Sequence, residues 1–386
     1  MNASTGPEFS WAEVCARRLE RHWLAAPSEN GSPADVVRAM CGAHAQVITA
    51  AELSVGMRTS GTTVTEVRRA LWNDATLVKA FGPRGTVHLL PANDFALWTA
   101  ALGAIPPAAA PGGGFLTAVQ TDKVVEAIAE ALGAGDLSVD ELGEAVIGRA
   151  GAWAGELVIP AFQGMWPRWR AALATAGSRG VLCFGPNRGR LVTYRSPASI
   201  MPGFRPADAA SALAWLVRSY LRAYGPATSA HFAQWLGASR PWAAEVFDAL
   251  AGELAPATVE GAPAWVAGGD TRKATAKPSG IRLLPYFDAY VVGGHPRNRL
   301  FPGEASKRAL ARGQAGNFPV LLVDGVVGGV WHLRRSGRGV EVTVEPFGRL
   351  LPAQVDELAF QAVRIGTFLE SESRLTLGPV NAGGHA

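Results

Sequence analysis

Apolar positions recur at helical spacing along most of the chain and change to strand-like alternation only in its last third. Over residues 9–26, Trp11, Val14, Cys15, Leu19, Trp23 and Leu24 keep close to the helical period, and Pro27 ends the run, which predicts a first helix. Ser32-Pro33-Ala34-Asp35 starts a second. A third runs from Ile48, with Ile48, Ala51, Leu53 and Val55 apolar, and a fourth lies around Glu66 to Asn73. Two β-prone runs, 77–81 and 86–90, are then joined by Gly82-Pro83-Arg84-Gly85 and read as a hairpin. Helices followed by such a hairpin are the pattern of a winged helix.

The pattern recurs, which sets the expected organisation. Helical periods at 121–133, 138–149 and 159–176 precede a second hairpin, 180–184 with 190–194, and its turn repeats the Phe-Gly-Pro of the first. Helices at 206–224, 228–237 and 240–252 precede a third, 257–260 with 264–266. From Arg282 the period is that of strands: 282–292, 319–323, 326–333 and 340–344 are separated by Asp-Gly and Ser-Gly turns and predict a small β-barrel, closed by a helix at 352–369. The expected fold is α+β, with tandem winged helices at 9–102, 115–200 and 205–268 and a barrel domain at 280–371. A Gly/Pro-rich linker is expected at 103–114, and a loose end at residues 1–8.

Composition agrees with several compact units, since 386 residues exceed one ordinary core. The 48% hydrophobic and 18% charged content excludes extended disorder. Cys15, Cys41 and Cys183 are widely spaced, which speaks against a zinc site or a disulfide framework. Neither a membrane-length apolar run nor a signal-peptide pattern is visible, so the expectation is a soluble cytoplasmic protein. The net charge is only +4, but Lys79, Lys123, Lys273, Lys277 and Lys307 are the only lysines among 36 basic residues. Arginine suits phosphate and groove contacts, although a GC-rich coding sequence gives the same bias.

The candidate chemistry centres on His44 and Gln46, one residue apart among small and apolar neighbours. On a continuous helix they would point about 200° apart; in extended or turn geometry they share a face, and Gly42 allows a helix break there. By themselves they read first as a polar helix start with satisfied side chains. The run from Arg84 to Asp94, Leu284-Pro285-Tyr286-Phe287-Asp288-Ala289-Tyr290 and the Val323-Asp324-Gly325 turn, in that order, change the weighing. Together they resemble the bacterial AlkZ/YcaQ-like DNA glycosylases, over about residues 9–371.

That resemblance implies a C-shaped protein of winged helices and a barrel around duplex DNA, acting as a monomer without metal or cofactor on guanines alkylated at N7. Bulky antibiotic adducts and interstrand crosslinks are among the lesions it implies, in repair or antibiotic self-resistance. The family's catalytic motif is Gln, an apolar residue, then Gln or Asp; here it reads His44-Ala45-Gln46, so the second Gln is kept and the first replaced. Gln46 can accept a hydrogen bond from the attacking water, while His44 can orient that water, take its proton or contact the DNA backbone. The run Gly293-Gly294-His295-Pro296-Arg297-Asn298-Arg299 is expected to be a DNA-contacting hairpin carrying His295, Arg297 and Arg299. Arg84, Arg188 and Arg190 at the wing tips are candidate phosphate contacts. His88 and Asp288 are candidates to line the site, with structural roles the alternative. The competing class is a winged-helix transcription regulator or other non-catalytic DNA binder.

Overall fold

In a computed structural model the described residues are 6–107, 114–161, 164–274, 276–337 and 339–384. They form two compact units, one of Met1–Ala70, Val217–Leu236 and Arg240–Ala386, the other of Leu71–Leu216 with Gly237–Ser239. These units cut across the segments expected from sequence. Half of the linker expected at 103–114, residues 108–113, lies outside the described residues.

The first unit opens with helices whose starts are written in local chemistry. Ser10 caps Trp11–Arg21 and Ser32 caps Pro33–Ala39, each reciprocated by the acid three residues on, Glu13 or Asp35. A two-residue strand, Ala43–His44, then leads into the helix Ile48–Gly56. Gly42 holds φ 91°, a conformation that breaks the preceding helix and that glycine adopts at little cost. Further on, Ser229–Leu236 and Arg240–Ala249 precede the hairpin Leu254–Val259 with Ala262–Ala267. Residues 1–8 were expected to be loose, yet Glu8–Phe9 adds to this hairpin as a parallel strand, with Glu8 opposite Thr258. Residues 1–5 of that expectation lie outside the described residues.

The C-terminal part of this unit is a five-stranded sheet in sequential order: Ile281–Leu284, Val320–Val323, Val326–Ser336, Gly339–Pro346 and Glu372–Leu377. The first and last strands are not paired, so the expected barrel is open, a half-barrel. The helix Pro352–Phe368 packs on both edge strands and covers the gap between them. The last strand went unread because it joins in parallel, at long range, through that helix. One core runs from Phe9, Val14 and Leu19 through Val266 to Tyr290, Leu322 and Val330. Each such side chain contributes about 1.5–3 kcal/mol on burial.

The second unit holds the two other expected hairpins. Leu77–Phe81 pairs with Val87–Pro91, and Cys183–Phe184 with Thr193–Arg195. Its core gathers Ile128 and Leu132 of Ala118–Leu132 and Val146 of Val139–Ala150 around buried Trp169. The helix expected at 159–176 is a correction: Leu157–Ala161 and Gly164–Pro167 form a hairpin, and only Leu173–Ser178 is α-helical. Pro160 and Pro167 cannot donate to a helix, and Gly164 sits at φ 134°. Likewise the run 282–292 is strand only to Leu284, then turns at Pro285 and becomes the short helix Ala289–Gly293.

Candidate active site

His44 and Gln46 lie in the first unit in non-helical backbone, just before the Ile48–Gly56 helix. They differ in exposure. His44 is buried, whereas Gln46 is exposed. The His44 ring lies nearly flat on Phe287, with centroids 4.7 Å apart and planes 20° from parallel. Phe287 reaches it from the Pro285 turn in the left-handed region, φ 56°, which a bulky aromatic residue rarely adopts. The turn is fixed by the Phe287 amide donating to the Gly316 carbonyl at 2.8 Å. Gly316 is required there: at φ 103°, a Cβ would come within 3.1 Å of the Phe287 backbone.

Asp288, next along, is fully buried and braces this wall instead of facing a substrate. Arg58 donates to both its oxygens at 2.8 Å, the Ser54 hydroxyl donates to Oδ2 at 2.8 Å, and the Tyr290 amide donates to Oδ1 at 2.9 Å. All its acceptor capacity is thus taken, which corrects its expected place as a site-lining residue. Burial pushes its pKa upward, but the Arg58 charge and the donated hydrogen bonds outweigh that and hold it below the ordinary 3.8. Arg58 also donates to the Ser54 carbonyl, so one guanidinium ties the end of the Ile48–Gly56 helix to the start of Ala289–Gly293. Arg364 adds a second tie through the Met57 and Thr59 carbonyls.

Val47, the residue before that helix, offers no side-chain cap, so the helix begins open beside Gln46. A recess of ≈ 250 Å³ adjoins it, lined by Val47, Ala50, Tyr286 and Trp331 together with the Glu52–Arg68 pair. Arg68 grips Glu52 through two bonds, 2.8 and 3.0 Å long. Behind the site, His22 is packed edge-on against Tyr224 and Tyr290. Burial first, then the Arg58 charge, brings its pKa down to about 3, so it is neutral. Among the described residues no group of acidic, histidine or cysteine side chains could hold a metal.

The other expected site residues divide. The segment 293–299 is not a hairpin: Ala289–Gly293 is followed by a second short helix, Arg297–Leu300. Arg297 turns inward and donates to the carbonyls of Val291, Val292 and Gly294. It thereby satisfies acceptors that the end of the first short helix leaves open. His295 is buried and stacks on His231 at 5.3 Å. Arg299 is at the surface, paired with Glu260 at 2.7 and 2.9 Å.

In the second unit, Arg84 is exposed at φ 61° in the turn Pro83–Gly85. Arg188 and Arg190 are exposed at the tip of the other hairpin, and Arg188 is paired with Glu141 at 2.8 Å. His88 is buried, its Nδ1 2.9 Å from the Thr86 carbonyl and its ring against Gly82, where a Cβ would leave no room. That environment is structural and departs from the expectation that His88 lines the site.

Comparison with known proteins decides the family. A family model described as "DNA glycosylase AlkZ-like" matches residues 37–368. The chain belongs to the AlkZ-like DNA glycosylases. It is 33% identical over 365 residues to an "Interstrand DNA cross-link repair glycosylase" of Streptomyces sahachiroi, covering 88% of this chain and 91% of that one. The solved structure of the Streptomyces sahachiroi DNA glycosylase AlkZ matches with a TM-score of 0.78 at 29% identity, covering 96% of this chain and all of that one. The mixed α+β fold is therefore an AlkZ-like one, and the protein is a DNA glycosylase. Sequence reasoning missed Phe287 as the platform of His44, and Arg58 as the partner of Asp288. The spacing of Ser54 and Arg58, four apart across the end of one helix, was the available signal for the second; nothing local announces a positive φ at Phe287.

Proposed function

We propose that this glycosylase hydrolyses the N-glycosidic bond of guanines alkylated at N7 in duplex DNA, bulky adducts and crosslinks included, with Gln46 holding the attacking water. Alkylation at N7 makes the purine cationic and hence a good leaving group. Protonation of the base, and so a strong acid, is unnecessary. What remains is to place water at C1′ and to stabilise the positive charge developing on the sugar. The Gln46 carbonyl accepts from the water while its amide donates elsewhere. The observation that carries this reading is the exposed Gln46 beside a wall braced by the Phe287 stack and the Arg58–Asp288 pair. His44, flat on Phe287, orients the same water or takes its proton.

The helix-and-hairpin segments serve as winged helices, with Arg84, Arg188 and Arg190 meeting backbone phosphates and the protein working as a monomer in the cytoplasm. The Streptomyces relative is named for crosslink repair, which is why crosslinks belong in the substrate set. The test is incubation of labelled duplexes carrying a methyl, a bulky or a crosslinking N7 adduct, followed by alkali. Strand cleavage at the modified guanine with release of the free base is expected. Intact strands for all adducts would reject the substrate class.

A further inference from the structure

The recess beside Val47 is built largely by three elements of the first unit, and the period of each decides what it presents there. The helix Ile48–Gly56 brings Glu52, and the helix Val64–Trp72 brings Val64 and Arg68, four residues and so about one turn apart. The strand Val326–Ser336 brings Trp331, Leu333 and Arg335, alternate residues on one face of the sheet. Arg334 between them belongs to the opposite face, where it pairs with Glu341 at 2.7 Å. Glu52, Arg68 and Arg335 are the charged groups of the lining, two cations against one carboxylate.

Both cations reach solvent. The Arg68 side chain is 51% exposed, whereas that of Glu52, which holds it, is 4% exposed. Glu52 accepts from Nε and Nη2, and Nη1 has no acceptor among the described residues. Taking a carboxylate out of water costs free energy, which the bidentate pairing offsets; its result is an exposed guanidinium held in one orientation. Glu370 also acts on Arg68 electrostatically, but it is exposed and its Oε2 accepts from the Thr65 hydroxyl at 2.6 Å. Arg335 is exposed and has no hydrogen-bond or ion-pair partner among the described residues. An unpaired arginine beside an oriented one suits the oxygens of a phosphate.

We propose that Arg68 and Arg335 are positioning residues that hold the DNA backbone phosphates flanking the target nucleotide, with Arg68 oriented by Glu52. The location of that nucleotide rests on the Gln46 reading above: Val47 ties the recess to Gln46, and every C1′ in DNA has a phosphate on either side. Contacts of this kind fix the register of the strand without reading its sequence. Here they set the sugar against the attacking water, so their loss slows base release as well as weakening binding.

The test uses the full chain and reads the salt dependence of unmodified-duplex binding, single-turnover base release at saturating N7-alkylguanine duplex, and Tm. Arg335→Ala removes an exposed, unpaired side chain; it should lower the slope of log K against log salt by about 0.9, one phosphate contact, at an unchanged Tm. Arg68→Lys keeps the charge but loses the fork that Glu52 orients, so the slope should stay while release falls. Release should drop at least about tenfold in both variants, since misplacing reacting groups by an ångström costs up to about a hundredfold. Arg334→Ala, the same loss of charge on the opposite face, should leave slope and release at wild-type values. An unchanged slope in Arg335→Ala, wild-type release in both variants, or an equal fall in slope with Arg334→Ala overturns the proposal. Gln46→Ala separates the two readings. Wild-type release by that variant rejects the water-holding role, yet lowered slope and release in the arginine variants still support the phosphate contacts; lost release by Gln46→Ala with wild-type arginine variants overturns the contacts alone.

Discussion

His44 is proposed to stand where the family motif carries glutamine, and its surroundings restrict what it can do. Held on the Phe287 face, the ring is fixed in plane, and that orientation is maintained against backbone strain of order 1–3 kcal/mol at Phe287. Such strain persists only where the surrounding structure over-determines it, here through the Gly316 carbonyl and the Asp288 network. A ring that merely orients water can be replaced by an amide; one that accepts a proton cannot. His44→Gln should therefore retain excision within a few-fold if orientation is its role, while His44→Ala loses it; equal loss in both variants assigns His44 as the base. The residue pair itself was legible in the sequence, because small neighbours and Gly42 announced a break. The burial of one partner and exposure of the other was not, since Phe287 arrives from more than two hundred residues away.

At the scale of elements, the expected hairpins were readable from Gly/Pro turns between β-prone runs, and all three are present. What failed were segments whose composition suits two structures. Gly293 to Arg299 looks like a basic, flexed turn, yet it packs as two short helices around Arg297. Arg297 satisfies three carbonyls there, and each hydrogen bond made by a charged donor is worth about 1.5–3 kcal/mol. Arg297→Ala should lower Tm in a thermal melt and leave the salt dependence of DNA binding at the wild-type value. A flattened salt slope with an unchanged Tm would return Arg297 to the DNA interface.

For the whole molecule, the order of helical and strand-like segments was legible, whereas closure of the sheet was not, because edge pairing is a long-range outcome. Acid behaviour is also a property of the whole fold. His22 is held neutral with its pKa brought down to about 3 from 6.5, so between those values the unfolded chain binds a proton the folded one does not. His231, brought down to about 4, acts in the same direction. Asp288, kept below 3.8, adds a further loss as the pH falls through its folded value. Stability should thus be complete above about pH 6.5 and decline steadily on acidification; His22→Phe should make that decline shallower in denaturant melts at pH 4–6.5, and an unchanged decline would contradict the assignment. Catalysis is the more demanding test of the proposed site. The decisive measurement is single-turnover base release by Gln46→Ala on an N7-alkylguanine duplex, with DNA affinity measured on the same protein. Release should fall at least about a hundredfold, the scale lost with a group that acts in the transition state, at nearly unchanged affinity. Release within a few-fold of wild type would remove Gln46 from the reaction.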